Sequence, residues 1–216
     1  MKKVAIIWSV LFVIAAYFGF QRNGLSLGAI TFILMTSASL HIQAYFGKRF
    51  INNKELGLVN EGEKAIFRII NTAGLLIVPA ISIATTWFDF ANYIAPAPMN
   101  IIGIVLAGLG ILGLVRSHLD LKKQWSPIVE LQDQHELITK GIYRFARHPM
   151  YLSIFTLSIA QLFLLNNWVA GPIGIIGFTL LYFSRIDKEE EMLRDHFGQK
   201  YEEYCQLVGR LMPKAR

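Results

Sequence analysis

The run MNIIGIVLAGLGILGLV, Met99–Val115, contains no charged side chain. A helix needs about 20 mostly apolar residues to cross a hydrocarbon core of roughly 30 Å, and this run with its flanks comes close to that length. Gly103, Gly108, Gly110 and Gly113 punctuate it. Glycine weakens a helix in water, but between apolar helices in lipid it lets a neighbouring backbone come close. The stretch therefore reads as a membrane helix packed on a partner.

Working outward, the same pattern recurs at Val4–Phe20, Leu25–Phe46, Ile66–Phe88, Tyr151–Leu165 and Trp168–Ser184. With Met99–Val115 these make six candidate crossings. The last two are short and separated only by Asn166 and Asn167, so they read as a tight helical hairpin, with Gly171 and Pro172 near the start of its second arm. Composition agrees: 54% of the 216 residues are hydrophobic and 17% charged, and mean hydropathy is +0.43. A soluble particle of this size cannot bury so much apolar side chain. The expected fold is all-α: a polytopic membrane helical bundle of about six transmembrane helices, ending in a helical hairpin. Residues 1–115 form its N-terminal helices and residues 116–216 its functional core.

The cations orient it. Of 21 lysines and arginines, all but Arg22 fall at the N-terminus, after the second run, after the fourth run or in the tail. Positive residues collect on the cytoplasmic side, so six crossings with both termini cytoplasmic satisfy the rule. Met1-Lys2-Lys3 followed by Val4–Phe20 has the charge and length of a signal peptide, but Tyr17, Phe18 and Phe20 crowd the place of a cleavage site. It is expected to remain as the first helix.

Several function classes fall away. A net charge of +6 suggests nucleic acid only when it forms a basic face on a soluble fold, and here it lies between hydrophobic runs. Cys205 is the single cysteine, so neither an internal disulfide nor a Cys/His zinc set is expected. The membrane faces lack mid-membrane Asp, Glu, Lys or Arg, which leaves a transporter or channel without a charged pathway.

Chemistry is left to two polar stretches, Arg116–Met150 and Arg185–Arg216. The first contains HELITKGIYRFARHPMYLS, in which Pro149 suits the opening turn of the fifth helix and leaves free N–H groups beside it. In the second, Arg185 and Glu189 stand one turn apart on one helix face. Phe197, Tyr201, Tyr204 and Val208 continue the helical spacing as an apolar face. Interfacial Arg and Tyr also serve as plain membrane anchors, and an Arg–Glu pair as a surface salt bridge.

The two stretches together resemble the isoprenylcysteine carboxyl methyltransferase family and, more broadly, its relatives among membrane phospholipid and small-thiol methyltransferases. The pattern is His135-x-Leu137, Gly141-x-Tyr143, Arg147-His148-Pro149-x-Tyr151, then Glu189-Glu190 with Phe197-Gly198, Tyr201, Tyr204, Val208 and Pro213. It covers roughly Trp125 to Pro213, and Ile142 stands where related sequences often have proline. The resemblance implies an enzyme that moves a methyl group from S-adenosyl-L-methionine, held in a cytoplasmic cofactor site by these two stretches, to a lipophilic or lipid-anchored acceptor arriving from the membrane lipid. The carboxylate of an isoprenylcysteine-like molecule is the leading acceptor; a phospholipid amine or small thiol, or a non-catalytic membrane scaffold, are the alternatives. It further implies that His135, Glu136, Leu137, Ile138, Tyr143, His148, Pro149, Met150 and Tyr151 wrap the cofactor, that Glu189 contacts its α-amino group, and that Arg185 faces the acceptor. Glu130 matches only with a one-residue gap. An amine or thiol acceptor must lose a proton, which His148 or Glu190 is placed to take; a carboxylate acceptor needs no base.

Overall fold

The computed structural model describes residues 2–46, 69–121 and 136–214. Among them there are no strands, and the long elements are helices: α1 Lys2–Asn23, α2 Leu27–Phe46, α3 Ile69–Ala84, α4 Ala97–Leu121, α5 Pro149–Leu164, α6 Ile173–Phe197 and α7 Gln199–Leu207. Lys3–Arg22, Leu27–Phe46 and Pro98–Leu121 are long and apolar enough to cross a membrane; Ile69–Ala84 and Pro149–Leu164 are shorter apolar helices. Helix α4 runs unbroken past Val115, and α6 continues from the hairpin well into the polar tail.

The glycines of α4 lie where the seam needs them. A Cβ on Gly103, Gly110 or Gly113 would collide with Leu164, Leu157 or Ser153 respectively, which sets α4 and α5 antiparallel and close. Gly108 has nothing within 4 Å and lies outside that seam. The core around it is layered across five helices, with Phe12 of α1, Phe32 of α2, Leu76 of α3, Leu114 of α4 and Leu164 of α5 in one cluster. Phe12 and Phe32 meet edge to face at 5.8 Å, a favoured geometry for two quadrupoles. Ile6, Val13, Leu34, Leu109 and Leu112 point outward and are exposed, as lipid-facing positions should be.

In hydrocarbon every backbone polar group needs an internal partner, and α3 shows how one is found. Its Ala73–Ile77 turn is a π-turn, with the Val78 N–H donating to the Ala73 carbonyl. In that register the Gly74 carbonyl would look to residue 79, and Pro79 has no N–H to offer. The buried Gln161 Nε2 of α5 donates to it instead at 3.0 Å, and to the Ala170 carbonyl at 2.7 Å. Hydroxyls of α5 are served locally: Ser153, Thr156 and Ser158 each donate to the carbonyl four residues back.

One end of the bundle, the turn end, is tied by Asn167. Its Nδ2 donates to the Phe88 carbonyl and to Asn92 Oδ1, while its Oδ1 accepts from the backbone of Val169 and Ala170. Asn166 adopts φ 43°, which Asn tolerates better than most residues. Arg22 lies at this same end, donating to both Asp89 oxygens at 2.9 and 3.2 Å and to the Thr85 carbonyl.

Two substitutions test the seam. A Cβ at Gly28 would lie 2.1 Å from the Leu164 carbonyl oxygen, so Gly28→Ala should destabilise the detergent-solubilised protein by about 1–3 kcal/mol. Gly108→Ala should leave it unchanged or gain up to about 1 kcal/mol from helix propensity. Thermal unfolding of both variants reads the difference.

Candidate active site

The other end, the polar end, is assembled from four segments. The chain enters α5 through a 3₁₀ turn, Gly141–Arg144. Gly141 has φ +65°, and a Cβ there would lie 2.1 Å from Asp120 Oδ2 at the end of α4; only glycine fits. The same Asp120 oxygen accepts from the Ile142 N–H at 2.8 Å and from Arg116 Nε at 3.0 Å. Next the Arg147 and His148 N–H groups donate to the Gly209 and Arg210 carbonyls, both at 2.9 Å. The tail is thereby laid along the mouth of α5. The Tyr204 hydroxyl adds a bond to the Tyr143 carbonyl.

At the centre is Glu190, wholly buried. Its Oε1 accepts from Arg147 Nε at 3.0 Å and Nη2 at 2.6 Å and has His148 Nε2 at 3.3 Å; its Oε2 accepts from Arg210 Nε at 3.0 Å and meets Arg194 Nη2 at 3.5 Å. Burial alone would raise its pKa, but the hydrogen bonds from His148 and Arg147 and the Arg147 charge outweigh it and bring the carboxyl down to about 2. Arg147 also donates to the Cys205 and Val208 carbonyls. One guanidinium thus ties the α5 mouth, α6 and the tail together.

Glu189, one residue earlier, faces elsewhere. Its Oε2 accepts from the Tyr151 hydroxyl at 2.7 Å, while Oε1 lies 3.8 Å from His148 Nδ1, beyond hydrogen-bond reach. Its side chain is 28% exposed where that of Glu190 is 0%. The His148 and Tyr151 rings stack at 5.7 Å and 29°. Tyr151 also meets Tyr182 at 5.5 Å and Phe178 at 6.1 Å, and Phe155 lies 4.7 Å from Phe178. An aromatic wall therefore runs from the carboxylate toward the membrane. Arg185, one turn before Glu189, influences Tyr151 electrostatically. Tyr143 is buried, and that burial, then Glu189, Tyr204 and Asp120, pushes its phenol upward and keeps it neutral.

His148, Tyr151, Glu189 and Glu190 are thus brought together; Arg185 lies one turn before Glu189 on α6, and Tyr143 and Pro149 are buried. Met150 packs toward the membrane core. Leu137 joins Tyr201, Tyr204 and Val208 in a separate apolar cluster; Ile138 is half-buried and Glu136 exposed. His135 and Glu130 lie outside the described residues. One expectation is corrected: Phe197, Tyr201, Tyr204 and Val208 do not extend a single helix. Gly198, with φ 54°, ends α6 and α7 begins at Gln199; the tail bends back, and its apolar side chains meet through the bend. Sequence reasoning passed over Asp120, Arg194 and Arg210, and took Arg147 only as part of a motif. Arg210 is 20 residues from its partner, at no helical spacing, so nothing local marks it.

This architecture, all-helical among the described residues, is that of a multi-pass integral membrane protein with a polar, partly open carboxylate site at one end of its bundle. Residues 101–195 match the isoprenylcysteine carboxyl methyltransferase (ICMT) family, so the family resemblance is shown over that segment. The chain is 36% identical over 128 residues to a probable protein-S-isoprenylcysteine O-methyltransferase of Oryza sativa subsp. indica, covering 57% of this chain and 62% of that one. It is 40% identical over 88 residues to a protein-S-isoprenylcysteine O-methyltransferase of Dictyostelium discoideum, covering 39% and 35%. The chain therefore spans less than two thirds of the length of these relatives. A solved structure described as the eukaryotic intramembrane Ras methyltransferase ICMT shares the fold, with TM-score 0.60 and 22% identity, covering 96% of this chain and 74% of that one.

The clamp makes two predictions. Arg147→Ala leaves a buried carboxylate short of its main partner and should destabilise the protein by about 3–5 kcal/mol in detergent, with Arg147→Lys intermediate because it loses the fork. Glu190 titrates lower folded than the roughly 4.3 of an unfolded glutamate, so its stabilisation is complete above about pH 5 and is lost as pH falls toward 2. Unfolding curves of wild type and Glu190→Gln should therefore converge on acidification; parallel curves would refute the assignment.

Proposed function

We propose that the protein is an integral membrane methyltransferase that takes its methyl group from S-adenosyl-L-methionine and delivers it to the carboxylate of an isoprenylcysteine-like lipophilic acceptor. The observation that carries this is the Tyr151–Glu189 hydrogen bond at 2.7 Å. It brings two segments far apart in the chain to one small site beside an aromatic wall.

The donor set suits such a cofactor. Glu189 offers a partly exposed carboxylate for an α-ammonium, and the His148 and Tyr151 rings offer π faces, which attract cations. Glu189, His148 and Tyr151 would hold it, with Tyr143 and Pro149 shaping the support and Glu136, Leu137 and Ile138 along the approach. A bound sulfonium supplies an already activated methyl group, so the protein's task reduces to positioning and keeping out water.

The residues divide that task. Arg185 orients the acceptor carboxylate, for which a planar fork is well matched. A carboxylate is ionised at neutral pH and needs no base. Glu190, with both oxygens engaged by cations and its pKa near 2, serves as an anchor rather than a proton acceptor. Because it neighbours Glu189 in α6, each bond that fixes Glu190 also fixes the backbone that aims Glu189. The polar end faces the cytoplasm with both termini, six helices cross, and residues 116–216 carry the catalytic machinery; the distribution of lysine and arginine supports this.

Membranes incubated with methyl-labelled cofactor and an S-prenylated cysteine should yield a labelled product that releases methanol in base, the mark of a methyl ester. A base-stable product would point instead to an amine or thiol acceptor. Arg185→Ala should lower turnover about 100-fold while changing cofactor affinity less than about twofold, since it removes only acceptor alignment. Tyr151→Phe deletes a hydrogen bond to a charged group, worth about 1.5–3 kcal/mol, and should weaken cofactor binding by about tenfold or more in calorimetry.

A further inference from the structure

The turn end of the bundle carries four large apolar side chains turned outward: Trp87 is 73% exposed, Phe90 81%, Ile94 100% and Trp168 66%. They sit on a rigid base. The backbone N–H of Trp168 donates to the Ala91 carbonyl and that of Tyr93 to the Asn166 carbonyl, and the Tyr93 and Trp168 rings lie 4.8 Å apart. Large apolar groups displayed from a pinned surface are unfavourable in water and mark an interaction face.

Helix length says which neighbour covers it. Helix α5 has 16 residues, about 24 Å at 1.5 Å per residue, against a hydrocarbon core of about 30 Å. Its two ends are fixed, one by the Glu190 cage at His148 and the other by the Asn167 hub. Helix α1, with 22 residues or about 33 Å, reaches the same end and brings Arg22 to Asp89, so with the cage in one headgroup layer the turn end lies at the boundary of the opposite one. Charge agrees, because Arg22, the one cation assigned to this end, is paired with Asp89.

We propose that the surface formed by Trp87, Phe90, Ile94 and Trp168 is a lipid-binding face that seats in the acyl–headgroup boundary of the leaflet opposite the polar end. Tryptophan is the side chain most at home there, apolar in body with one polar N–H.

The test uses the full chain in lipid vesicles with Trp8→Phe and Trp125→Phe, leaving Trp87 and Trp168 as reporters. Lipids brominated at the glycerol end of the acyl chain should quench them several-fold more than lipids brominated at the chain terminus, and iodide on both sides of the membrane should quench them only weakly. Iodide quenching near that of free tryptophan, without quenching by brominated lipid, would overturn the proposal by placing the face in water, free for a protein partner. Stronger quenching from the chain terminus would overturn it by placing the face in the hydrocarbon core. Hydroxyl-radical labelling of the unsubstituted protein in vesicles supplies a second reading: protection of Trp87, Phe90 and Trp168 supports the proposal, and modification as in detergent-free peptide contradicts it.

Discussion

A buried carboxylate cannot stand alone, and the polar end is organised around that constraint. Glu190 has no exposed side-chain surface, so its charge has to be met by cations and hydrogen bonds inside the protein. The cations come from three places in the chain: Arg147 before α5, Arg194 one turn further along α6, and Arg210 in the tail. Satisfying one carboxylate therefore closes the tail over the mouth of α5. The Gly209 and Arg210 carbonyls complete the closure by accepting the two N–H groups that precede Pro149.

The adjacent glutamates show how a single helix serves two purposes. Successive helix positions are rotated by about 100°, so Glu190 points into the cage and Glu189 toward Tyr151. One is neutralised from all sides; the other is partly exposed and accepts the Tyr151 hydroxyl. The rigidity of the first transfers through the α6 backbone to the second. Helix α6 also links the site to the membrane seam, because Gly174 near its other end receives the amide of Gln161, which in turn stabilises the π-turn of α3.

Lipid imposes the remaining order. Apolar helices gain little by leaving lipid for each other, so close approach and satisfied backbone groups have to hold the bundle. Gly28, Gly103 and Gly110 provide the approach. Gln161 and Asn167 provide polar joints, one a turn inside the end of α5 and the other in the connecting turn itself. Their placement accounts for polar residues inside otherwise apolar runs without invoking a transport pathway.

The apolar runs, their spacing and the placement of lysine and arginine were enough to establish a multi-pass helical membrane protein, because hydropathy and chain length act along the sequence. The pairing of Arg147-His148-Pro149-x-Tyr151 with Glu189-Glu190 was legible as a pattern, and the segments do meet. What the pattern left open was which glutamate is locked and which is open, since that depends on helix rotation against neighbours. The roles of Arg210, Asp120 and Gln161, and the bend at Gly198 that splits the expected apolar helix, were hidden for the same reason. Each is defined by a partner between 20 and 87 residues away or by a backbone angle fixed by packing, and neither leaves a periodic trace. The chain's own chemistry determined that it enters a bilayer and which groups are available; only the tertiary contacts decided which of those groups neutralise one another and which remain for a ligand.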